Sequence, residues 1–317
     1  MKRIAIAALA LALPFAASAQ EEPKGAPSPG EIVEAAPAKD WTAIAPEDLL
    51  VMTLAPDRDG KPQKAFIQLM PPPFSQGWVG NIRKLAGAHW WDGLAIVRVQ
   101  DNYVVQWGDP DGEDAAKAKP LPPGLATMGE DQYVHPRHID RPRALDTLFS
   151  PPNDIMRWTS FYRGWPVAGV GTPDTERNWP VHCYGMVGVG RNYSPDTGTG
   201  AELYTVIGHA PRHLDRNIAL VGRVVEGMEN LSSLPRGTGP LGFYAAAEER
   251  VPIVSIRLAS ELPQAEQPRL EYLSTDSDSF ARYAEARANR RDPFFIIPAG
   301  GADICNIPVP VRRAPGQ

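Results

Sequence analysis

Several features that mark particular protein classes are scarce or missing in this 317-residue sequence. Basic residues are not in excess, with 32 Lys and Arg against 37 Asp and Glu and a net charge of −5. Sequence-independent nucleic-acid binding relies on a basic surface, so this balance argues against it. The chain carries no Gly-x-Ser-x-Gly motif, which argues against a hydrolase nucleophile elbow.

Metal-binding and nucleotide-binding patterns are also lacking. His135 and His138 form one histidine pair and His209 and His213 another, but neither has the cysteine or carboxylate spacing of a recognised zinc motif. The short Gly-Val-Gly runs at 169–171 and 188–190 lack the full glycine pattern of a phosphate-binding loop. We therefore expect no metal and no cofactor.

The first nineteen residues have the layout of an export signal. Lys2 and Arg3 precede an apolar run over residues 4–16, and Ala-Ser-Ala follows at 17–19. This order predicts a secretory signal peptide cleaved after Ala19, which places the mature protein in the periplasm. A short membrane anchor is the alternative. No later run reaches the ~20 apolar residues that span a bilayer, so we expect no stable membrane insertion.

Proline and glycine are abundant, at 34 and 28 residues. Their number predicts short strands, many turns and long loops rather than a helical bundle. Residues 20–45 are rich in Pro, Ala and Glu and are predicted to be a flexible linker. The predicted strands cover residues 49–54, 65–70, 96–99, 103–107, 184–190, 203–207, 218–225 and 252–258. Helices are predicted over residues 75–86, 146–158, 227–233 and 278–290. Many short strands with few helices favour a closed or sandwich-like β architecture.

The two strands at 96–99 and 103–107 predict a hairpin that carries polar side chains. If residues 100–102 form its loop, Arg98 lies opposite Val104 and Ile96 lies opposite Gln106. Since side chains alternate along a strand, Arg98, Val104 and Gln106 then share one face of the sheet. A guanidinium and an amide on an apolar sheet face suggest a functional site.

Two cysteines, Cys183 and Cys305, lie far apart in the sequence. In an exported protein, oxidising conditions favour a disulfide between them, which would tie the tail to the core. Two separately buried thiols are the alternative.

Two segments carry a resemblance to a known family. Residues 97–99 read Val-Arg-Val, and residues 103–109 read Tyr-Val-Val-Gln-Trp-Gly-Asp. Together with Gly-Ala-Glu-Leu-Tyr at 200–204, Leu-Asp at 214–215 and Val-Gly-Arg-Val at 221–224, they resemble the cyclophilins, which are peptidyl-prolyl cis-trans isomerases. The similarity covers about residues 48–258. It implies a mainly β fold: a closed antiparallel eight-stranded barrel with two capping helices. A domain over 46–262 would then carry a long inserted loop region at about 110–182 and be followed by a C-terminal extension over 263–317 with one helix.

The resemblance also implies site residues and an activity. Arg98 and Gln106 match the catalytic arginine and glutamine. The substrate-binding positions that it implies are Tyr103, Val104, Glu202, Tyr204, His213 and Leu214. The family's pattern is altered by Gly188 in place of an asparagine, Glu202 in place of a glutamine and Ile218 in place of a histidine.

The expected activity is rotation of X-Pro bonds in proline-containing polypeptides, by a protein that is expected to be monomeric. Rotation breaks amide resonance over a barrier of ~20 kcal/mol, and no bond is cleaved, so the reaction needs no metal or cofactor. The altered positions favour an alternative, a non-catalytic peptide- or protein-binding module of the cell envelope.

Overall fold

The structure is a computed structural model that describes residues 25–142, 145, 148–149, 158–172 and 174–316. The predicted signal peptide lies outside these residues. So does the helix predicted over 146–158, apart from residues 148, 149 and 158.

The described residues form fourteen strands and four α-helices. The strands are β1 (Trp41–Ala43), β2 (Leu49–Leu54), β3 (Gln63–Leu69), β4 (Ala95–Val99), β5 (Val104–Gly108), β6 (Trp158–Tyr162), β7 (Trp165–Val170), β8 (Arg177–Pro180), β9 (Met186–Val189), β10 (Leu203–Val206), β11 (Leu220–Glu226), β12 (Val251–Leu258), β13 (Leu270–Leu273) and β14 (Val311–Arg313). The helices are α1 (Pro29–Glu34), α2 (Gln76–Gly87), α3 (Glu229–Ser232) and α4 (Asp278–Ala288).

Eight strands close into an antiparallel barrel in the order β10-β5-β4-β12-β2-β3-β11-β9. Closure pairs every strand on both sides and leaves no free edge in the barrel. The predicted closed eight-stranded barrel is therefore confirmed. Helix α2 packs against β11 and β12, and α3 packs against β3, in keeping with two capping helices.

Strand β2 shows how the barrel is buried on two sides. Leu50, Met52 and Leu54 belong to the main core, whereas Leu49 and Val51 belong to a separate apolar cluster that includes Leu270 of β13. Successive side chains point to opposite faces of a strand. Since both faces of β2 are covered, its sequence is an almost continuous apolar run instead of an alternating one.

Helix α2, predicted over residues 75–86, begins after its N-cap residue Ser75 and buries Trp78, Ile82 and Leu85, which lie on one face at helical spacing. The Ser75 side chain, however, makes no capping hydrogen bond, and its φ of 54° is left-handed. No helix in the described part of the chain has both the length and the apolar character needed to cross a membrane.

The β4–β5 hairpin departs from the predicted register. Residues 100–103 connect the strands, Arg98 pairs with Gln106, and Ile96 pairs with Trp107. The register shifts between Ile96 and Arg98, because a bulge places one extra residue in β4. This bulge lets Ile96 enter the core while Arg98, two residues later, faces outward. The left-handed Asn102 that the turn requires is present, with φ of 51°.

The segment predicted as a flexible linker is ordered from Gly25 onward. Helix α1 starts with a capping box between Ser28 and Glu31 and buries Ile32. Strand β1 pairs with β13 in a three-stranded sheet with β14. The linker prediction was wrong for these residues, since a short Pro- and Ala-rich stretch gains order from α4 and β13, both near the other end of the chain.

The insertion at 110–182 also holds regular structure, a three-stranded sheet of β6, β7 and β8. It packs on the C-terminal extension, where the Phe161 and Phe280 rings lie 5.0 Å apart between centroids. Arg223 of β11 ties the insertion to the barrel, because its buried guanidinium donates to Gln68 Oε1 (2.9 Å) and to the carbonyl of Gly164. Burial lowers the pKa of Arg223 to about 10.

A disulfide joins Cys183, which precedes β9, to Cys305 in the C-terminal extension. The sequence had left this pairing and two separate thiols as alternatives. The bridge spans 122 residues, so it removes a large amount of conformational freedom from the unfolded chain.

We predict that replacing both cysteines, Cys183→Ser with Cys305→Ser, lowers the free energy of unfolding by roughly 2–5 kcal/mol. Urea titration followed by circular dichroism measures this change, and reduction of the wild-type protein serves as the matched control. Equal unfolding midpoints for the oxidised, reduced and substituted proteins would contradict a stabilising bridge.

Candidate active site

The outer face of the barrel carries a row of aligned positions across four neighbouring strands. Arg98 in β4 pairs with Gln106 in β5, Gln106 pairs with Tyr204 in β10, and Tyr204 pairs with Gly188 in β9. Side chains at paired positions lie on the same face of a sheet. Three residues predicted from sequence are thus brought side by side.

The Arg98 guanidinium is held on several sides. Its Nη1 donates to Gln106 Oε1 (3.0 Å), its Nε donates to the carbonyl of Leu241 (2.7 Å), and its Nη2 donates to Gln100 Oε1. A guanidinium fixed by several bonds is preorganised, because little side-chain freedom is left to lose when a ligand binds.

Two aromatic rings flank the same guanidinium. The Arg98 Cζ lies 5.5 Å from the centroid of the Tyr103 ring and 5.3 Å from that of Phe243. Burial lowers the pKa of Arg98 below its ordinary value, and Tyr103 and Glu202 partly oppose that shift. The cation is therefore partly removed from water, which strengthens any hydrogen bond that it donates to a ligand.

Gln106 is fixed at both ends of its amide. Its Oε1 accepts from Arg98, so its Nε2 is oriented toward Glu202, whose Oε1 accepts a hydrogen bond from it. Burial raises the pKa of Glu202, the Gln106 bond lowers it, and the charge of Glu113 raises it further, with a net rise. Arg98, Gln106 and Glu202 thus form one hydrogen-bonded chain along the groove.

An apolar cluster, which we name the apolar pocket, lies on the same face of the barrel. Val104, Tyr204 and Val206 form its buried part, and Tyr103, Leu214 and Ile218 pack around them half-buried. Four of the six residues predicted to bind substrate, Tyr103, Val104, Tyr204 and Leu214, belong to this one cluster.

His213 lies at the edge of this pocket. Its exposed ring stacks on Tyr103, with centroids 6.4 Å apart and an interplanar angle of 14°.

A groove of about 1000 Å³ runs beside the row. Arg98, Gln106 and Glu202 line it together with Phe243 and Tyr193. No group of three His, Cys, Asp or Glu side chains within the described residues is arranged to hold a metal ion.

The sequence did not predict a role for several residues that contact the site. Gln100, Leu241 and Phe243 hold or flank Arg98, and His182 bonds to Tyr204. Only Asp215, which bonds to His182, stood inside a recognised motif, as part of Leu-Asp. The others come from loops whose approach to the site depends on the tertiary fold.

The fold of one solved structure agrees with the barrel. Cyclophilin AquaCyp293 from Hirschia baltica superposes with a TM-score of 0.64 at 21% identity, covering 86% of this chain and 92% of that one. A cyclophilin-type peptidyl-prolyl cis-trans isomerase from Cryptosporidium parvum has a TM-score of 0.39 at 11% identity, over 67% of this chain and 96% of that one. None of the curated proteins matches significantly.

A protein-family model gives the assignment. The model described as cyclophilin type peptidyl-prolyl cis-trans isomerase/CLD matches residues 77–258, which is more than half of the chain. The matched stretch contains the barrel strands from β4 to β12, all the members of the row and the whole apolar pocket. On this match, with the closed barrel that agrees with it, the chain belongs to the cyclophilin-type peptidyl-prolyl cis-trans isomerase family.

Proposed function

We propose that this protein catalyses cis-trans isomerisation of X-Pro bonds in exported polypeptides and so assists their folding. The observation that carries the proposal is the fixed guanidinium of Arg98 on the barrel face that bears the apolar pocket. The groove of about 1000 Å³ beside Arg98 is open to solvent, which supports a peptide substrate.

The chemistry needs a group that stabilises the twisted amide better than either planar isomer. In the twisted state the proline nitrogen becomes pyramidal and accepts a hydrogen bond. Within the described structure, three of the five N–H groups of Arg98 are used by Gln106, Gln100 and Leu241. The remaining N–H groups, one on each Nη, provide the donor that the proline nitrogen needs.

The pocket and the amide hold the two parts of the substrate that rotate against each other. The apolar pocket grips the proline ring through Val104, Tyr204 and Leu214. Gln106 offers its amide to a substrate carbonyl once that amide is released from Glu202. With the ring fixed, the segment before proline turns about the X-Pro bond.

One observation favours a second function, that of a peptide-binding module with slow turnover. Glu202 accepts a hydrogen bond from the Gln106 amide, so this amide is not available to a substrate carbonyl. The Glu202 carboxylate also lies near Arg98. A proline-limited refolding assay, run beside measurements of peptide affinity, separates the two functions. Accelerated refolding supports the isomerase, whereas binding without acceleration supports the module.

The proposed compartment is the periplasm, on the strength of the N-terminal sequence pattern. We predict that the full chain, expressed in a Gram-negative host, is found in the periplasmic fraction with Gln20 as its first residue. Placing charge in the apolar run by Leu9→Arg with Leu11→Arg blocks export, because charged residues oppose entry of the segment into the membrane. Mass spectrometry of each fraction measures both results, and an uncleaved cytoplasmic wild-type chain would refute the compartment.

For Arg98, we predict that Arg98→Ala lowers kcat/KM in the refolding assay at least tenfold, because the donor to the proline nitrogen is lost. Arg98→Lys keeps the charge but loses the planar fork and stays well below wild type. Arg58→Ala, at an exposed position in the β2–β3 turn, is the matched control with unchanged activity. An Arg98→Ala variant that folds normally with unchanged kcat/KM would remove Arg98 from the mechanism.

For Glu202, we predict that Glu202→Gln raises kcat/KM at neutral pH by about tenfold, or ~1.4 kcal/mol. The substitution keeps an acceptor oxygen but removes its charge, and a hydrogen bond to a charged acceptor is stronger than one to a neutral acceptor by about this amount. Since the pKa of Glu202 is raised above 4.5, wild-type activity falls as the pH rises through that pKa and the carboxylate forms.

The pH profile of kcat/KM tests whether Glu202 causes this fall in activity. Glu202→Gln removes the fall, and Glu113→Gln moves it to lower pH, because the charge of Glu113 raises the pKa of Glu202. A fall that persists in Glu202→Gln would belong to another titrating group.

A further inference from the structure

The Tyr204 side chain in the apolar pocket reaches past its own strand. Its partner across the sheet is Gly188, and a Cβ placed there would lie 2.4 Å from the Tyr204 hydroxyl oxygen. Only a glycine leaves room for the phenol to cross β9. The tyrosine at 204 therefore requires the absence of a side chain at 188.

The Tyr204 hydroxyl contacts a buried histidine. His182 is completely buried, its Nε2 lies 2.9 Å from the Tyr204 hydroxyl, and the two rings are 11° from coplanar. The other ring nitrogen, Nδ1, lies 2.8 Å from Asp215 Oδ1, which also accepts the backbone N–H of His182 at 2.9 Å.

The direction of each hydrogen bond follows from the charge of Asp215. Burial alone would raise the pKa of Asp215, but the bonds from His182 and the charge of Arg212 give a net lowering. The carboxylate is thus an acceptor, so Nδ1 carries a proton and Nε2 is left to accept from the Tyr204 hydroxyl. Burial raises the pKa of Tyr204 well above 10, which keeps the donating proton on its hydroxyl.

The same carboxylate holds a second residue of the pocket. Arg212 Nε donates to Asp215 Oδ2 at 2.7 Å, and the backbone N–H of Asp215 donates to the Arg212 carbonyl at 3.0 Å. Leu214 lies inside this turn. One buried network therefore fixes Tyr204 and Leu214, two of the residues that form the apolar pocket.

We propose that His182 is a positioning residue for proline binding, which orients the Tyr204 ring in the pocket before substrate arrives. The proposal rests on the proposed function, since it concerns the same pocket. An apolar ring alone would fill the position of Tyr204, whereas a buried hydroxyl is unfavourable unless it is paired. A pocket whose ring is already oriented loses less conformational freedom when proline binds.

A double-mutant cycle tests the proposal, with a short Ala-Pro peptide as the probe. Calorimetry gives the affinity, and NMR exchange spectroscopy gives the isomerisation rate at saturation. Tyr204→Phe keeps the ring and removes the hydroxyl, and His182→Leu removes the acceptor. We expect each single substitution to weaken binding about tenfold with a smaller change in the rate at saturation. The double variant should lose the same tenfold rather than a hundredfold.

His182→Gln is the conservative rescue, because its amide both donates and accepts and should keep affinity within about threefold of wild type. A merely structural His182 would instead weaken binding by the same factor in the wild-type and Tyr204→Phe backgrounds. That additive result would overturn the proposal, as would unchanged affinity in Tyr204→Phe, a variant that retains the apolar ring.

The two proposals fail in different ways. A wild-type protein that binds the peptide without accelerating its exchange refutes the isomerase function, while the affinity cycle still decides the role of His182. A wild-type protein that does not bind the peptide refutes both.

Discussion

The pairing of Arg98 with Gln106 across β4 and β5 is the constraint on which the site depends. A bulge between Ile96 and Arg98 sends the isoleucine into the barrel and the arginine to the outer face. Without the extra residue, the 2-residue period of the strand would place both on one face. Because Gln106 pairs in turn with Tyr204, the cation, the amide and the ring stand in adjacent strands. The strand register therefore fixes the relative positions of these three side chains.

Burial acts in opposite senses on the two ends of the polar chain in this site. It lowers the pKa of Arg98 and raises that of Glu202, because partial removal from water disfavours either charge. Gln106 stands between them and transmits a hydrogen bond from one to the other. The glutamine that the resemblance implies at 202 would carry no charge, so Glu202 adds a titratable group to this hydrogen-bonded chain.

The segments outside the barrel are joined to one another and to the pocket. The N-terminal helix packs on α4, the insertion packs on the C-terminal extension, and the Cys183–Cys305 disulfide closes the group. Cys183 directly follows His182. Arg212 Nη1 lies 3.6 Å from Asp303 Oδ2 of the extension, and Arg212 Nε donates a hydrogen bond to Asp215 Oδ2. The residues that hold Tyr204 and Leu214 are therefore also those on which the extension rests.

The sequence alone determined the eight barrel strands and the α2 helix, because strand alternation and helical spacing are local patterns. Its resemblance to the cyclophilins indicated Arg98, Gln106 and part of the apolar pocket as candidate site residues. The bulge, the order of residues 25–45, the inserted sheet and the His182–Asp215 pair were decided only by the tertiary structure. His182 and Asp215 are 33 residues apart, and α1 contacts α4 from near the opposite end of the chain. No local pattern encodes such contacts, because their stability comes from surfaces that meet only after the barrel has closed.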